Sequence, residues 1–252
     1  MTPAEWQSCT DPAAMLSFVA GKVSERKLRL FAVACCRRIW PLLPEDASRR
    51  AVEAAEGYAD GLLTLDDLSR AEAAGKQVTW TAVETAYAGW GAPGGETIRS
   101  NWIAVWAACA AENAAEPLPA SAPPSLAART AQVASWACAV SGQRACWNSF
   151  DVGPHDARPE SEEACQCALL RDLLGDTART PDLRPDWLRW HRGCVVELAR
   201  TIYEERRFAD VPVLGDALQD AGCDDPEVLE HCRPGRGHVR GCWLLDAILG
   251  KN

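Results

Sequence analysis

Apolar positions recur along this chain every three to four residues, and that period predicts helices rather than strands. Ser24 is placed to cap a helix in which Leu28, Ala32, Cys35 and Ile39 share one face, with Pro41 ending it. From about Glu45 to Leu63, Ala47, Ala51, Ala54, Tyr58 and Leu62 stack on one side of a second helix, and Arg49, Arg50, Glu53 and Glu56 face away. Thr64-Leu65-Asp66-Asp67 reads as the cap of a third helix that stops at Gly75, and Val78 to Ala88 reads as helix again. Ala- and Trp-rich helices follow over roughly Thr97 to Ala114 and Ser125 to Val140, and a further helix ends near Gly175. In the C-terminal third the pattern predicts helices from Cys194 to Arg206, from Pro212 to Ala221 before Gly222, and from Pro226 to Cys232 behind an Asp225 cap. A last helix is predicted from about His238 to Leu249, stopped by Gly250. Few segments alternate with period two, so the expected class is all-α, an irregular multi-helix array or bundle.

Pro117, Pro119, Pro123 and Pro124 interrupt this pattern, because proline cannot continue a helix. The expected organisation is an Ala-rich helical region over 1–115, a Pro-rich linker or loop over 116–125 and a helical region over 126–252, unless the two regions form one continuous domain. Gly153, Pro154 and Pro159 mark another loop between Val152 and Glu160.

Composition supports the helical reading. Of 252 residues 48% are hydrophobic but only 7% aromatic, with 11 Trp against 4 Phe and 3 Tyr, so Ala and Leu, which favour helices, carry much of the apolar mass. A net charge of -9 argues against a chain that coats nucleic acid or anionic lipid. Met1-Thr2-Pro3-Ala4-Glu5-Trp6 has neither the basic start nor the apolar run of a signal peptide, and the apolar stretch Ile103 to Ala111 is too short to span a bilayer. The expectation is a cytoplasmic protein with no membrane role. In that reducing compartment most of the 12 cysteines are thiols, and Cys35, Cys36, Cys109, Cys138 and Cys146 sit among Ala, Val and Trp as small hydrophobes.

Signatures of common enzyme classes are missing: there is no His-Glu-x-x-His, no Gly-x-Ser-x-Gly and no phosphate loop. One Gly-x-Gly-x-x-Gly occurs at Gly89, Gly91 and Gly94, but helix rather than strand precedes it and Pro93 removes an amide, which fits a helix-to-helix loop. Cys223, His231, Cys232, His238 and Cys242 gather thiols and imidazoles, the donors zinc prefers. If the last helix starts at His238, then His238 and Cys242 project from one side of it, and the Pro234-Gly235-Arg236-Gly237 turn brings His231 and Cys232 near. The competing reading places Cys242 on the core stripe with Leu245 and Leu249. Arg26, Arg29, Arg37 and Arg38 concentrate positive charge that could dock an anion or an acidic partner, or could form the solvated side of a helix. Asp216 and Asp220 fall on the wet side of their helix, and Trp187 and Trp190 read as loop anchors.

Two blocks, Glu25-Arg26-Lys27-Leu28-Arg29-Leu30-Phe31-Ala32-Val33-Ala34-Cys35-Cys36-Arg37-Arg38-Ile39-Trp40 and the stretch from Asp216 through His238-Val239-Arg240-Gly241-Cys242-Trp243, resemble an uncharacterised bacterial protein family. That family has a Met-Thr-x-x-Glu-Trp opening, an Ala-rich helical middle and a Gly-Cys-Trp C-terminus. The resemblance implies a shared architecture and carries over no catalytic residue. The chain departs from it after Leu169-Leu170-Arg171-Asp172, where Leu173-Leu174-Gly175-Asp176-Thr177 replaces a segment containing Phe and Pro. Together these features point to a non-catalytic helical module that binds another protein, with a zinc-dependent regulator or enzyme built on the C-terminal Cys/His group as the alternative.

Overall fold

The computed structural model describes residues 1–43, 45–88, 95–117, 127–132, 134, 162–175, 183–234 and 237–251. Among them every regular element is helical and none is a strand, so the all-α expectation holds. No helix of the described residues is long and apolar enough to cross a membrane. The chain forms two compact units, Cys9–Cys167 and Met1–Ser8 with Ala168–Asn252. Residues on both sides of the Pro-rich stretch fall in the first unit, so the contacts divide the chain at Cys167 and Ala168 rather than at 116–125.

Helix α1 (Pro3–Ser8) belongs to the second unit, and α2 (Pro12–Val19) opens the first. In α3 (Glu25–Arg38) the Ser24 hydroxyl accepts from the Lys27 N–H at 3.4 Å, as the cap reading requires, and the helix buries Leu30 through Cys36. A short 3-10 turn at Trp40–Leu42 carries Pro41. Helix α4 (Asp46–Ala59) buries Ala51, Val52, Ala54 and Ala55. It also buries Glu56, which corrects the expectation that this residue faces away; Leu62, expected on the packed face, is 70% exposed beyond the helix end. The reason is charge: Arg37 reaches across from α3 and donates to Glu56 Oε2 at 3.1 Å.

Helix α5 (Leu65–Ala88) starts where Thr64 and Asp67 exchange backbone and side-chain hydrogen bonds in a capping box. It does not stop at Gly75. A side chain at Gly75 would begin 3.4 Å from the Ala51 methyl and 3.8 Å from the Glu112 backbone, so this glycine marks a close approach between helices instead of an end. Helix α6 (Gly95–Ala115) packs on α5 and α4 through Ala107, Ala108, Ala110, Ala111 and Ala114, small side chains that let helical backbones come close. The Gly89–Gly94 motif, most of the Pro-rich stretch and the Val152–Glu160 loop lie outside the described residues.

In the second unit, α7 (Glu162–Leu174), whose first residues belong to the first unit, ends at Gly175. The short α8 (Pro185–Arg189) follows, then α9 (Cys194–Glu204), α10 (Val211–Asp220), α11 (Pro226–Cys232) and α12 (Trp243–Leu249). Asp225 caps α11 by accepting from the Glu227 N–H at 3.0 Å, and Gly222 and Gly250 close α10 and α12 at positive φ of 88° and 65°. The apolar centre is made by Trp187, Val195, Ile202, Tyr203, Leu214, Leu218, Leu244, Leu245 and Ile248. The last helix begins at Trp243, not His238. Gly237 at φ 94° and Gly241 at φ 90° hold 237–242 in a turn, closed by the Cys242 N–H on the Val239 carbonyl at 3.0 Å.

Candidate metal centre

Four side chains of the second unit meet at one buried point. Asp172 comes from the last turn but one of α7, His231 from the end of α11, and His238 and Cys242 from the glycine turn before α12. One ligand-type atom from each lies within 4.8 Å of all the others. His238 Nδ1 is 2.7 Å from Asp172 Oδ1, His231 Nε2 is 3.1 Å from Cys242 Sγ and 3.5 Å from Asp172 Oδ1, and Cys242 Sγ is 4.0 Å from His238 Nδ1. Separations of this size suit atoms around a tetrahedral ion whose bonds to N, O and S are about 2.0 to 2.3 Å. Such a cluster can hold a metal ion.

The surroundings fix most of these groups. Asp172 Oδ2 accepts from the Val239 N–H at 2.9 Å, tying the glycine turn to α7. His238 Nε2 lies 3.0 Å from the Pro234 carbonyl, which can only accept, so this nitrogen carries a proton and Nδ1 is turned inward. A histidine that holds a metal through one nitrogen while donating from the other to a carbonyl is the usual supported ligand. Trp243 Nε1–H donates to His231 Nδ1 at 3.1 Å, with the rings 4.7 Å apart. Burial, helped by the neighbouring His238, brings the His231 pKa down to about 4 although Asp172 pulls the other way, so the ring is neutral near pH 7. Cys242 is 0% exposed, and burial first, then the Asp172 charge, pushes its thiol well above the ordinary range. A sealed thiol of this kind is no nucleophile for an external substrate, but a bound cation would bring it to the thiolate.

Of the five residues that the sequence marks as candidate ligands, the structure brings His231, His238 and Cys242 together and leaves Cys223 and Cys232 out. Both of the latter are buried in the apolar centre, with thiol pKa values raised by burial, that of Cys232 to about 12. Cys232 follows His231 directly on α11 and therefore points elsewhere, against Gly215 of α10, where an added side chain would begin 2.6 Å from its Cβ. Asp172 went unmarked by the sequence reading. Its signal is a carboxylate within an apolar helical stripe, since Leu169, Leu170 and Leu173 around it are all buried.

The arginine block is not a docking surface. Arg26 pairs with Asp60 at 2.9 Å, and Arg37 pairs with Glu56 and lies over the Trp40 ring at 4.1 Å. Arg29, almost wholly buried, pairs with Glu25 at 2.6 Å and donates to the Ala114 and Glu116 carbonyls. Arg38 grips Glu162 through Nε and Nη2 at 2.9 to 3.1 Å. These charges are spent inside the first unit, which corrects the expectation that they bind an anion or a partner.

No protein-family model matches the chain, and neither a curated protein nor a solved structure matches it.

Proposed function

We propose that the second unit is a zinc-stapled helical module in which the metal has a structural role. The observation that carries this reading is the convergence of Asp172, His231, His238 and Cys242. One thiolate, two imidazoles and one carboxylate make a borderline-soft donor set suited to zinc, and the two anions balance a dication so that the buried site is neutral overall. All four positions of a tetrahedron are filled by protein, which suits a closed structural site; a catalytic one keeps a position for water or substrate. The free thiols among the described residues fit a reducing, cytoplasmic setting.

The test is the metal content of untagged protein by mass spectrometry, with Co²⁺ substitution to read the geometry and the thiolate from its visible bands. About one ion per chain is expected, lost in Cys242→Ser and His238→Ala but kept in Cys223→Ser and Cys232→Ser. Protein that takes up no zinc or cobalt would sink the reading.

A second reading, binding to another protein, is favoured by the outer face of α5, where Trp80 is 62% and Tyr87 58% exposed, seven residues apart on one side of the helix. Trp80→Ala is expected to abolish capture of a partner if this face docks one; capture unaffected by Trp80→Ala and Tyr87→Ala would remove α5 from consideration.

A further inference from the structure

The metal reading has a consequence for the N-terminal helix, and the inference drawn here rests on that reading. An indole N–H can only donate, so with Trp243 bonded to His231 Nδ1 the ring proton sits on Nε2, aimed at Cys242 Sγ. A metal on Nε2 reverses this. The thiol proton of Cys242 leaves to water, the His231 proton moves to Nδ1, and two N–H groups then oppose each other across the 3.1 Å that now holds a hydrogen bond. The indole has to turn away.

It is wedged where it lies. Three atoms of the Trp243 ring sit 3.1 to 3.2 Å from the point where a side chain on Gly175 would begin, so the ring rests on the Gly175 backbone. The carbonyl of that same Gly175 accepts from Trp6 Nε1 at 3.1 Å. Arg171, next to Asp172, donates twice to the Trp6 carbonyl, at 3.1 and 3.0 Å. Trp6 is the one buried residue of α1, and a six-residue helix has no stability of its own in water. The N-terminal helix is thus anchored at the short stretch, Arg171 to Gly175, that carries one ligand and supports the indole facing another.

We propose that metal binding at the cluster undocks the N-terminal helix, with Trp243 as the lever and Met1–Ser8 as a latch that opens when the site loads. Linkage makes the effect reciprocal: a latch that opposes metal weakens metal binding by the same factor by which metal weakens the latch.

Hydrogen exchange of the full chain, chelated and then with one equivalent of Zn²⁺, tests this alongside Zn²⁺ titration against a competing chelator. Residues 1–8 are expected to exchange faster with zinc while α11 and α12 exchange more slowly. Trp243→Phe, which removes the opposing N–H, is expected to bind zinc several-fold tighter and to leave exchange in 1–8 insensitive to it. Trp6→Phe, which keeps an apolar ring but loses the bond to Gly175, is expected to bind zinc tighter as well. Stoichiometric zinc binding with unchanged or slower exchange in 1–8, or with unaltered affinity in both variants, overturns the latch and leaves the metal site standing. Failure to bind zinc overturns both.

Discussion

At the scale of single residues, environment decides what each of the many cysteines does. Cys36 and Cys232 are held near pKa 12 by burial, and Cys109 near 11, whereas Cys194 is exposed. Thiolate is the reactive form, so iodoacetamide at pH 8 is expected to label Cys194 within minutes and to leave Cys36 and Cys232 unmodified in folded protein, as read by peptide mass spectrometry. Early labelling of Cys36 would contradict its packing. His231 makes a second prediction. In chelated protein its folded pKa is about 4, against about 6.5 unfolded, because of burial and the facing His238, with Asp172 opposing them. Between those values the unfolded chain binds more protons, so the stabilising contribution is present above about pH 6.5 and is lost as pH falls toward 4, by roughly 3 kcal/mol at most. Urea midpoints at pH 7.5 and pH 5 check this, and a His231→Gln variant with the same pH dependence would assign the loss to other groups.

At the scale of elements, the two units are held in different ways. The first combines alanine contacts with buried ion pairs. Arg38 and Glu162 are both buried, and Gln166 donates to Glu162 Oε1 at 3.3 Å and to the Ala131 carbonyl at 2.9 Å. Removing one charge leaves the other buried without a counterion, so Glu162→Gln is expected to cost about 3 to 5 kcal/mol, while Arg38→Met with Glu162→Leu is expected to recover most of it. In the second unit α10 meets α11 through Gly215. Gly215→Ala improves helix propensity by about 1 kcal/mol, yet the new methyl would lie 2.6 Å from Cys232 Cβ; a net loss of about 1 to 3 kcal/mol is expected in urea unfolding. A neutral or stabilising result would mean the two helices can separate at no cost. Helix caps were readable from the sequence wherever a side chain makes them, as at Ser24, Thr64 and Asp225, because the chemistry is local. The end of α5 and the start of α12 were not, because Gly75 continues a helix for the sake of packing while Gly241 breaks one through positive φ, and a lone glycine has the same letter in both.

At the scale of the whole chain, the same contrast explains how much of the site was legible. Thiols and imidazoles crowd residues 223–242, and that crowding alone singled out three of the four converging groups. The fourth, Asp172, is about sixty residues earlier and meets the others only because α7 and the glycine turn share a hydrogen bond. Cys223 and Cys232 looked equivalent to the true partners because spacing along the chain does not say which way a residue on α11 faces. A group that joins α7, α11 and the 237–242 turn constrains segments that otherwise meet through few side chains, so metal removal should act locally. With free zinc at about a thousand times its dissociation constant, the bound form of the second unit gains about 4 kcal/mol over its unfolded form. Chelation is therefore expected to accelerate hydrogen exchange in α11, in 237–242 and in α12, and to lower the midpoint of their unfolding. The buried amides of α3 and α4, in the other unit, should keep their protection. Equal acceleration in α3 and α4 would show that the ion stabilises the chain globally, and no acceleration in α11 would show that hydrogen bonding among Asp172, His231, His238 and Cys242 suffices without it.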